Sequence, residues 1–228
     1  REQNFRQVGE GTGLALDLDD FDETYLQLFV WDNENKRLVG AYRLGRVDVV
    51  TERNNLKGLY STTLFNYDQR FLDKMNCGKA IEMGRSVIAQ EYQRSMSALL
   101  LLWKGIATYV SQNPQYTHLF GPVSISNEYS HEARQLLAET MTLHHYDVET
   151  AKCVKASNPL KPRATAWNTS LLTALGDLQL LSRVIARIDR GKGVPVLLRQ
   201  YLGLNGKLVC FNIDPAFNDA LDGLIVVN

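Results

Sequence analysis

The sequence lacks the features that define several large classes of protein. Its three cysteines, Cys77, Cys153 and Cys210, are far apart and odd in number, which argues against a disulfide framework and a cysteine metal site. No run of about 18 apolar residues occurs, so no membrane-spanning helix is predicted. Acidic and basic residues balance at 25 each, which gives no support for nucleic-acid binding. These absences predict a cytoplasmic protein with reduced thiols and no nucleic-acid partner.

Motifs of metal-dependent and covalent catalysis are also missing. None of the four histidines has metal-ligand spacing, and none begins a His-x-x-x-x-Asp pair. No Gly-x-Ser-x-Gly motif is present, nor any other motif of a serine, cysteine or threonine nucleophile. We therefore predict no bound metal, no bound cofactor and no covalent enzyme intermediate.

The sequence does contain a clear series of predicted elements. Hydrophobic residues make up 45% of the 228 residues, enough for a substantial core in one or two domains. The order is strands, a strand–turn–helix unit, a strand–helix unit and closing strands, which favours an α/β fold with a mixed central sheet flanked by helices. Strands are predicted over residues 25–32, 38–44, 58–64, 80–88, 117–126, 207–213 and 221–227, helices over 68–75, 96–110, 128–141, 178–188 and 195–202, and a basic loop over 152–166.

The strand–turn–helix unit over residues 80–110 carries the clearest functional signal. Glu82 and Arg85 lie inside an otherwise apolar strand, and buried charges must be paired or take part in chemistry. A short polar turn leads into a helix start, where free N–H groups and the helix dipole favour an anion. The leucine run over residues 99–102 is predicted to be core. This combination predicts a group-transfer enzyme whose donor carries a phosphate.

Three groups of residues occur in an order that resembles a known family. They are Asp17-x-Asp19-x-x-Asp22, then Val39-Gly40-Ala41-Tyr42-Arg43-Leu44, then Glu82-x-x-Arg85-Ser86-Val87. The pattern resembles the acyl-carrier-protein-dependent branch of the GCN5-related N-acyltransferase (GNAT) superfamily. Within that branch it is most similar to the hemolysin-like proteins and ornithine-lipid N-acyltransferases, which are related to acyl-homoserine-lactone synthases. The resemblance covers residues 5–130 and the closing segment 194–222.

The resemblance implies one N-acyltransferase-like domain over residues 1–228, with an insertion or extension at about 144–190, in a fragment of a longer chain. It implies the GNAT fold, in which a pantetheine donor lies between two splayed central strands, here residues 80–88 and 117–126. Backbone amides near Val87 and Ile88 would then stabilise the thioester oxyanion. The phosphate-bearing end of the donor would meet the turn made by Gln93, Arg94, Ser95 and Met96.

This turn departs from the usual pattern of the superfamily, because residues 93–96 contain no glycine. Close approach of the backbone to a pyrophosphate is thereby disfavoured. Acyl carrier protein is therefore preferred over coenzyme A as the bearer of the acyl-phosphopantetheine, which is a substrate in either case.

Several residues have two interpretations from the sequence alone. Glu82 is either the general base that takes the proton of an attacking amine or a structural partner of Arg85 or Arg43. The two arginines are either catalytic or part of an ionic cluster with the acidic triplet, which without the family spacing would be a solvated loop. Arg94 and Ser95 either bind the donor phosphate or form a surface turn. The triplet consists of Asp17, Asp19 and Asp22.

The basic loop also has two interpretations, contact with an acidic carrier protein or anionic lipid, or plain solvation. Its basic residues are Lys152, Lys155, Lys161 and Arg163.

The expected function is transfer of a fatty acyl group from acyl carrier protein, or coenzyme A, to the amine of a small acceptor such as an amino acid. Direct attack of the amine on the thioester is expected, in bacterial lipid synthesis, with peripheral contact at the inner membrane face. One alternative is a non-catalytic domain that binds carrier protein or lipid and serves an upstream glycerolipid acyltransferase domain. Another is an acyl-homoserine-lactone-type signal synthase.

Overall fold

A computed structural model gives the fold of residue 6 and residues 13–93, 96–162 and 167–228. The chain forms two compact units. The first comprises the described residues up to Thr62 together with Leu72–Gly121, and the second comprises Thr63–Phe71 and Pro122–Asn228.

Strands and helices follow one another along the described residues. The strands are β1 (Leu26–Asp32), β2 (Arg37–Arg46), β3 (Phe65–Tyr67), β4 (Ala80–Ile88), β5 (His118–Ile125), β6 (Val154–Ala156), β7 (Lys207–Asp214) and β8 (Ala220–Val227). The helices are α1 (Val47–Asn54), α2 (Arg70–Lys74), α3 (Met96–Gln112), α4 (His131–His144), α5 (Val148–Ala151), α6 (Thr169–Ala174), α7 (Leu178–Ile188) and α8 (Val196–Gly203). Short 3₁₀ helices cover Asp20–Glu23, Asn55–Gly58, Tyr60–Thr63, Gln90–Tyr92 and Pro215–Phe217.

In the first unit, α3 packs on one face of a mixed sheet. β2 pairs antiparallel with both β1 and β4, and β4 pairs parallel with β5. The parallel ladder joins residues 80–82 to residues 118–120, and β4 then runs on to Ile88. Helix α3 contacts β1 and β2. Gly105 allows this close approach, because a Cβ there would lie 2.9 Å from the side chain of Leu28.

The second unit contains the end of β5, followed in the sheet by β8 and β7, and a small antiparallel sheet of β3 and β6. Its core includes Leu136 and Leu137 of α4 and Leu181 and Ile185 of α7, all fully buried. The strand order of the six-stranded sheet is β1-β2-β4-β5-β8-β7. The predicted α/β class, a mixed central sheet flanked by helices, is confirmed. The splay of the central strands and the insertion at 144–190 stay predictions.

The predicted strand over residues 58–64 is wrong. This segment ends one 3₁₀ helix at Gly58 and forms another over Tyr60–Thr63, and β3 begins only at Phe65. The physical reason is that the backbone amides of Tyr60 and Ser61 donate to the carboxylate of Glu82 rather than to a neighbouring strand. A hydrogen-bonding side chain elsewhere in the sequence therefore decides the local conformation.

One helix prediction and one loop prediction also need correction. Helix α4 begins at His131 rather than near Glu128, because the hydroxyl of Ser130 accepts the amide of Ala133 and caps the helix. The predicted loop 152–166, of which Arg163 and residues 164–166 lie outside the described residues, contains β6, which pairs with β3. Helices α1, α5 and α6 are additional to the predicted elements.

The leucine run of α3 is only partly core. Leu102 is fully buried, but Leu100 and Leu101 are 56% and 49% exposed, because the helix packs on the sheet through one side. Neither α3 nor any other helix in the described part of the chain has the length and apolar character needed to cross a membrane.

A buried titratable group lies in the second unit. Asp222 of β8 is 2% exposed, and its Oδ1 accepts a hydrogen bond of 2.6 Å from the hydroxyl of Ser124 on β5. Burial is the largest influence and raises the pKa of Asp222 to about 7; the Ser124 bond opposes this shift, and the charge of Asp214 adds to it. The folded state therefore holds a proton on Asp222 that the unfolded chain has already released.

We predict that Asp222 makes the free energy of unfolding fall as the pH rises from about 4 to 7. Between these values the folded state binds the extra proton, so stability declines with pH, by on the order of 4 kcal/mol once the pH exceeds the folded pKa. Asp222→Asn removes this titration, so its stability should depend less on pH than that of the wild type. Denaturant unfolding at pH 5 and pH 8 measures the difference.

The control is Asp73→Asn, which changes an exposed aspartate of α2 and should keep the wild-type dependence on pH. An Asp222→Asn variant with the wild-type dependence would show that Asp222 is ionised in the folded protein.

Candidate active site

The strand β4 carries a buried carboxylate on the sheet face opposite α3. Tyr42 of β2 packs edge-on against Trp103 of α3, so its neighbour Arg43 points to the other face. Arg43 pairs with Gly84, and Gly45 pairs with Glu82. Because paired residues in a sheet share a face, Glu82 lies on the same face as Arg43. This face carries the predicted catalytic residues.

Glu82 sits in a socket of hydrogen-bond donors. It is 1% exposed, its Oε1 accepts the amide of Ser61 at 2.8 Å, and its Oε2 accepts the amide of Tyr60 at 2.9 Å. The phenol of Tyr25 also donates to Oε2. Burial raises the pKa of Glu82, and the bonds from Ser61, Tyr25 and Tyr60 oppose this shift by stabilising the carboxylate. The group is thus placed to exchange a proton at a pH above the usual range of glutamate.

Tyr25 links Glu82 to the surrounding backbone. Its oxygen lies 3.2 Å from the carbonyl of Gly58 and accepts the amide of Tyr60 at 3.0 Å. Its ring lies over Gly45, where a Cβ would come within 2.3 Å of it. Burial and the charge of Glu82 raise the pKa of Tyr25, so the phenol keeps its proton and acts as a donor.

Arg43 occupies the centre of a second, ionic layer. Its side chain is 1% exposed, and Nη1 contacts Asp19 Oδ1 at 2.5 Å and Asp22 Oδ1 at 3.3 Å. Its guanidinium carbon lies 5.0 Å from the ring centre of Tyr60 and 5.7 Å from that of Phe21. Asp19 also caps the 3₁₀ helix that begins at Asp20, so the charge partner of Arg43 fixes the N-terminal segment.

Arg85 joins this layer through a β-bulge. Ala41 pairs with Val87 and Arg43 with Gly84, so that Arg85 and Ser86 together oppose a single residue of β2. Arg85 has a φ of 49°, a left-handed conformation that is uncommon for residues other than glycine. Regular alternation would place a residue three positions after Glu82 on the opposite face of the sheet. The bulge interrupts this alternation, and the side chain of Arg85 therefore contacts Asp17 and Asp19.

The structure brings the acidic triplet together with both arginines. Nη2 of Arg85 lies 3.3 Å from Asp19 Oδ2 and 3.8 Å from Asp17 Oδ1, and its guanidinium lies 5.2 Å from the ring centre of Tyr60. Glu82 accepts hydrogen bonds from Tyr25, Tyr60 and Ser61, and its role as general base or as a structural partner of Arg85 or Arg43 stays a prediction. The three donor residues were not predicted, because backbone amides and a lone tyrosine leave no charged pattern in a sequence.

Open space lies between Glu82 and the bulge. A Cβ built on Gly84 would have no described atom within 4 Å, although its strand partner Arg43 is buried. A small group could therefore lie against the backbone of Gly84 beside the Glu82 socket.

The predicted donor-binding residues follow the bulge. Val87 pairs with Ala41, Ile88 pairs with Gly40, and the side-chain amide of Gln93 donates to the carbonyl of Ile88 at 3.1 Å. Arg94 and Ser95 lie outside the described residues, and Met96 is the first residue of α3. In the described part of the chain, no group of three His, Cys, Asp or Glu side chains is placed to hold a metal ion.

Residues 1–104 match the protein family described as Acetyltransferase (GNAT) domain. This match spans the acidic triplet, both arginines and Glu82. Two curated relatives are named glycine N(alpha)-acyltransferase. The chain is an N-acyltransferase.

These relatives of the N-acyltransferase come from two bacteria. The protein of Phocaeicola vulgatus is 28% identical over all of this chain and 74% of its own length. The protein of Bacteroides thetaiotaomicron is 27% identical over all of this chain and 71% of its own length. No solved structure matches the chain significantly.

We predict that Arg43→Met destabilises the N-acyltransferase by about 2–4 kcal/mol. Removing the guanidinium leaves Asp19 and Asp22 without their shared partner and removes the cation from between the aromatic rings. Denaturant unfolding measures the loss.

The matched control is Arg37→Met on the same strand, whose side chain is 65% exposed and whose pair with Glu91 is on the surface. It should cost less than about 1 kcal/mol. Equal losses in the two variants would contradict a special role for the Arg43 cluster.

Proposed function

We propose that this N-acyltransferase moves a fatty acyl group from the phosphopantetheine of acyl carrier protein to the α-amine of a small amino acid such as glycine. The product would be an N-acyl amino acid for lipid synthesis. The names of the two relatives support the acceptor. The lack of glycine in residues 93–96 supports carrier protein over coenzyme A. A cytoplasmic location, with contact at the inner membrane face for product release, belongs to the same proposal.

The observation that carries the proposal is the buried Glu82 carboxylate next to the open space at Gly84. An acceptor amine in this space attacks the thioester carbon, so that a C–N bond forms and the C–S bond breaks. Glu82 takes the proton that the amine loses, and the pantetheine thiolate leaves and is protonated to the thiol. Because burial raises the pKa of Glu82, it is a better base near neutral pH than an exposed glutamate.

The charged layer positions the reactants in this scheme. Arg43 is 1% exposed and holds the acidic segment, whereas the side chain of Arg85 keeps 13% of its surface exposed. Arg85 would therefore be the arginine that meets the carboxylate of an amino-acid acceptor. Amides after the bulge, at Val87 and Ile88, would stabilise the oxyanion, and the start of α3 with Arg94 and Ser95 would hold the donor phosphate.

The test is thiol release from long-chain acyl carrier protein and from acyl-coenzyme A, with a panel of amines and mass spectrometry of the products. Release that depends on glycine or another amino acid, with an N-acyl product, supports the proposal. Lactone formation with S-adenosylmethionine would indicate a signal synthase instead. If the protein binds the donor but no amine in the panel causes thiol release, the domain is non-catalytic.

We predict that Glu82→Gln lowers kcat by roughly 10²–10⁴-fold, the usual contribution of a general base. Because the uncharged carboxamide of this variant would face two backbone donors, its thermal unfolding must be measured alongside activity.

Tyr25→Phe gives an independent check on the same carboxylate. The mutation removes a donor that stabilises ionised Glu82, so the pKa of Glu82 should rise and the acidic limb of the kcat/KM profile should move to higher pH. Tyr116→Phe, which removes a hydroxyl bonded to Asp48, is the control and should leave the limb in place. An unmoved limb in Tyr25→Phe would rule out Glu82 as the titrating base.

We predict that Gly84→Ala preserves the fold but raises the KM for the amino-acid acceptor at least several-fold. The added methyl enters open space, so the free energy of unfolding should be unchanged or increased by about 0.5–1 kcal/mol. The same methyl occupies the space assigned to the acceptor. Gly203→Ala, which also adds a methyl to open space at the end of α8, should change neither quantity greatly. Unchanged acceptor kinetics in Gly84→Ala would place the acceptor elsewhere.

A further inference from the structure

One side of α7 presents a row of exposed arginines in a chain with no net charge. The row consists of Leu180, which is 41% exposed, followed by the exposed residues Arg183, Arg187 and Arg190. The first three are three and four positions apart, so they lie along one side of the helix, and Arg190 follows just after its end. We call these four residues the arginine row.

No ion pair among the described residues of the second unit neutralises the charge of the arginine row. Oδ1 of Asp177 accepts the amide of Leu180 at 2.7 Å, and Oδ2 of Asp189 accepts the amide of Ser130 at 2.7 Å. The three arginines form no ion pair with any residue that the structure describes. Residues 178–203 contain five basic residues and one acidic residue. A helix face that is only solvated usually carries both acidic and basic residues.

The chemistry of the row fits a protein better than a membrane. A helix that lies on a membrane inserts an apolar side among the lipids. In α7 that side is used inside the unit, because Leu181 and Ile185 are fully buried. The exposed side of α7 carries Leu180, Arg183 and Arg187, and Arg190 follows just after the helix. An apolar contact next to arginines that reach carboxylates in fork geometry is typical of a protein interface.

We propose that the arginine row is the docking surface for acyl carrier protein. The proposal rests on the proposed function, since it names where the protein part of the donor binds. Acyl carrier proteins are small and strongly acidic, so their charge complements the row. Such complementarity raises the association rate and sets specificity, and it takes no part in the chemical step. The row lies outside residues 1–104, which match the acetyltransferase family.

The experiment uses a variant that combines Arg183→Glu, Arg187→Glu and Arg190→Glu. It compares two donors that carry the same acyl chain, acylated carrier protein and acyl-coenzyme A. We expect the KM for the acylated carrier protein to rise at least tenfold, with kcat and the KM for acyl-coenzyme A within about twofold of the wild type. Added salt should raise the carrier-protein KM of the wild type and have less effect on the variant. The corresponding triple Arg→Gln variant, with an intact thermal transition, guards against misfolding.

The matched control reverses three exposed lysines outside the basic loop, Lys36, Lys57 and Lys74, to glutamate. It should leave the carrier-protein KM nearly unchanged. An equal rise in this control would overturn the proposal, because the effect would then reflect total charge. Transfer from acyl-coenzyme A with no use of carrier protein would also overturn it, and would leave N-acyl transfer intact. Loss of vesicle binding in the arginine variant, with unchanged carrier-protein kinetics, would assign the row to anionic lipid.

Discussion

The first unit depends on the solvation of one carboxylate by the protein itself. Glu82 is removed from water, and the amides of Tyr60 and Ser61 with the phenol of Tyr25 replace its hydration. The same hydrogen bonds hold the 3₁₀ helix Tyr60–Thr63 in place and fix Tyr25, the residue that precedes β1. Stabilisation of the charge and folding of these segments are therefore one interaction, since the loss of either leaves buried polar groups without partners.

The arginines matter to Glu82 because they are paired with other carboxylates. A guanidinium bonded directly to Glu82 would lower its pKa and make it a poor base. Arg43 and Arg85 bind Asp17, Asp19 and Asp22, and burial is the largest influence on Glu82 and raises its pKa. In the proposed mechanism, Asp17, Asp19 and Asp22 therefore act indirectly, by pairing with Arg43 and Arg85.

Periodicity and charge in the sequence predicted much of this arrangement. The strand over residues 80–88 and the helix over 178–188 have the predicted bounds, because each is a strongly patterned segment with a clear end. The spacing of the family motif predicted that the acidic triplet lies next to the two arginines. The socket was missed, since backbone amides carry no sequence signal and Tyr60 and Ser61 lie where a strand was expected. The bulge was missed because an arginine gives no sign of a left-handed conformation.

At position 85 the backbone conformation and the side-chain contacts favour different residue types. Glycine would adopt a φ of 49° without strain, whereas the ion pairs with Asp17 and Asp19 need a long cationic side chain. Position 85 is thus locally frustrated, and its conformation is favourable only after the acidic segment has arrived. The second half of β4 should therefore become ordered late in folding, after its pairing with β5 over residues 80–82. In the folded protein the same segment is expected to exchange its amide hydrogens sooner than the start of the strand.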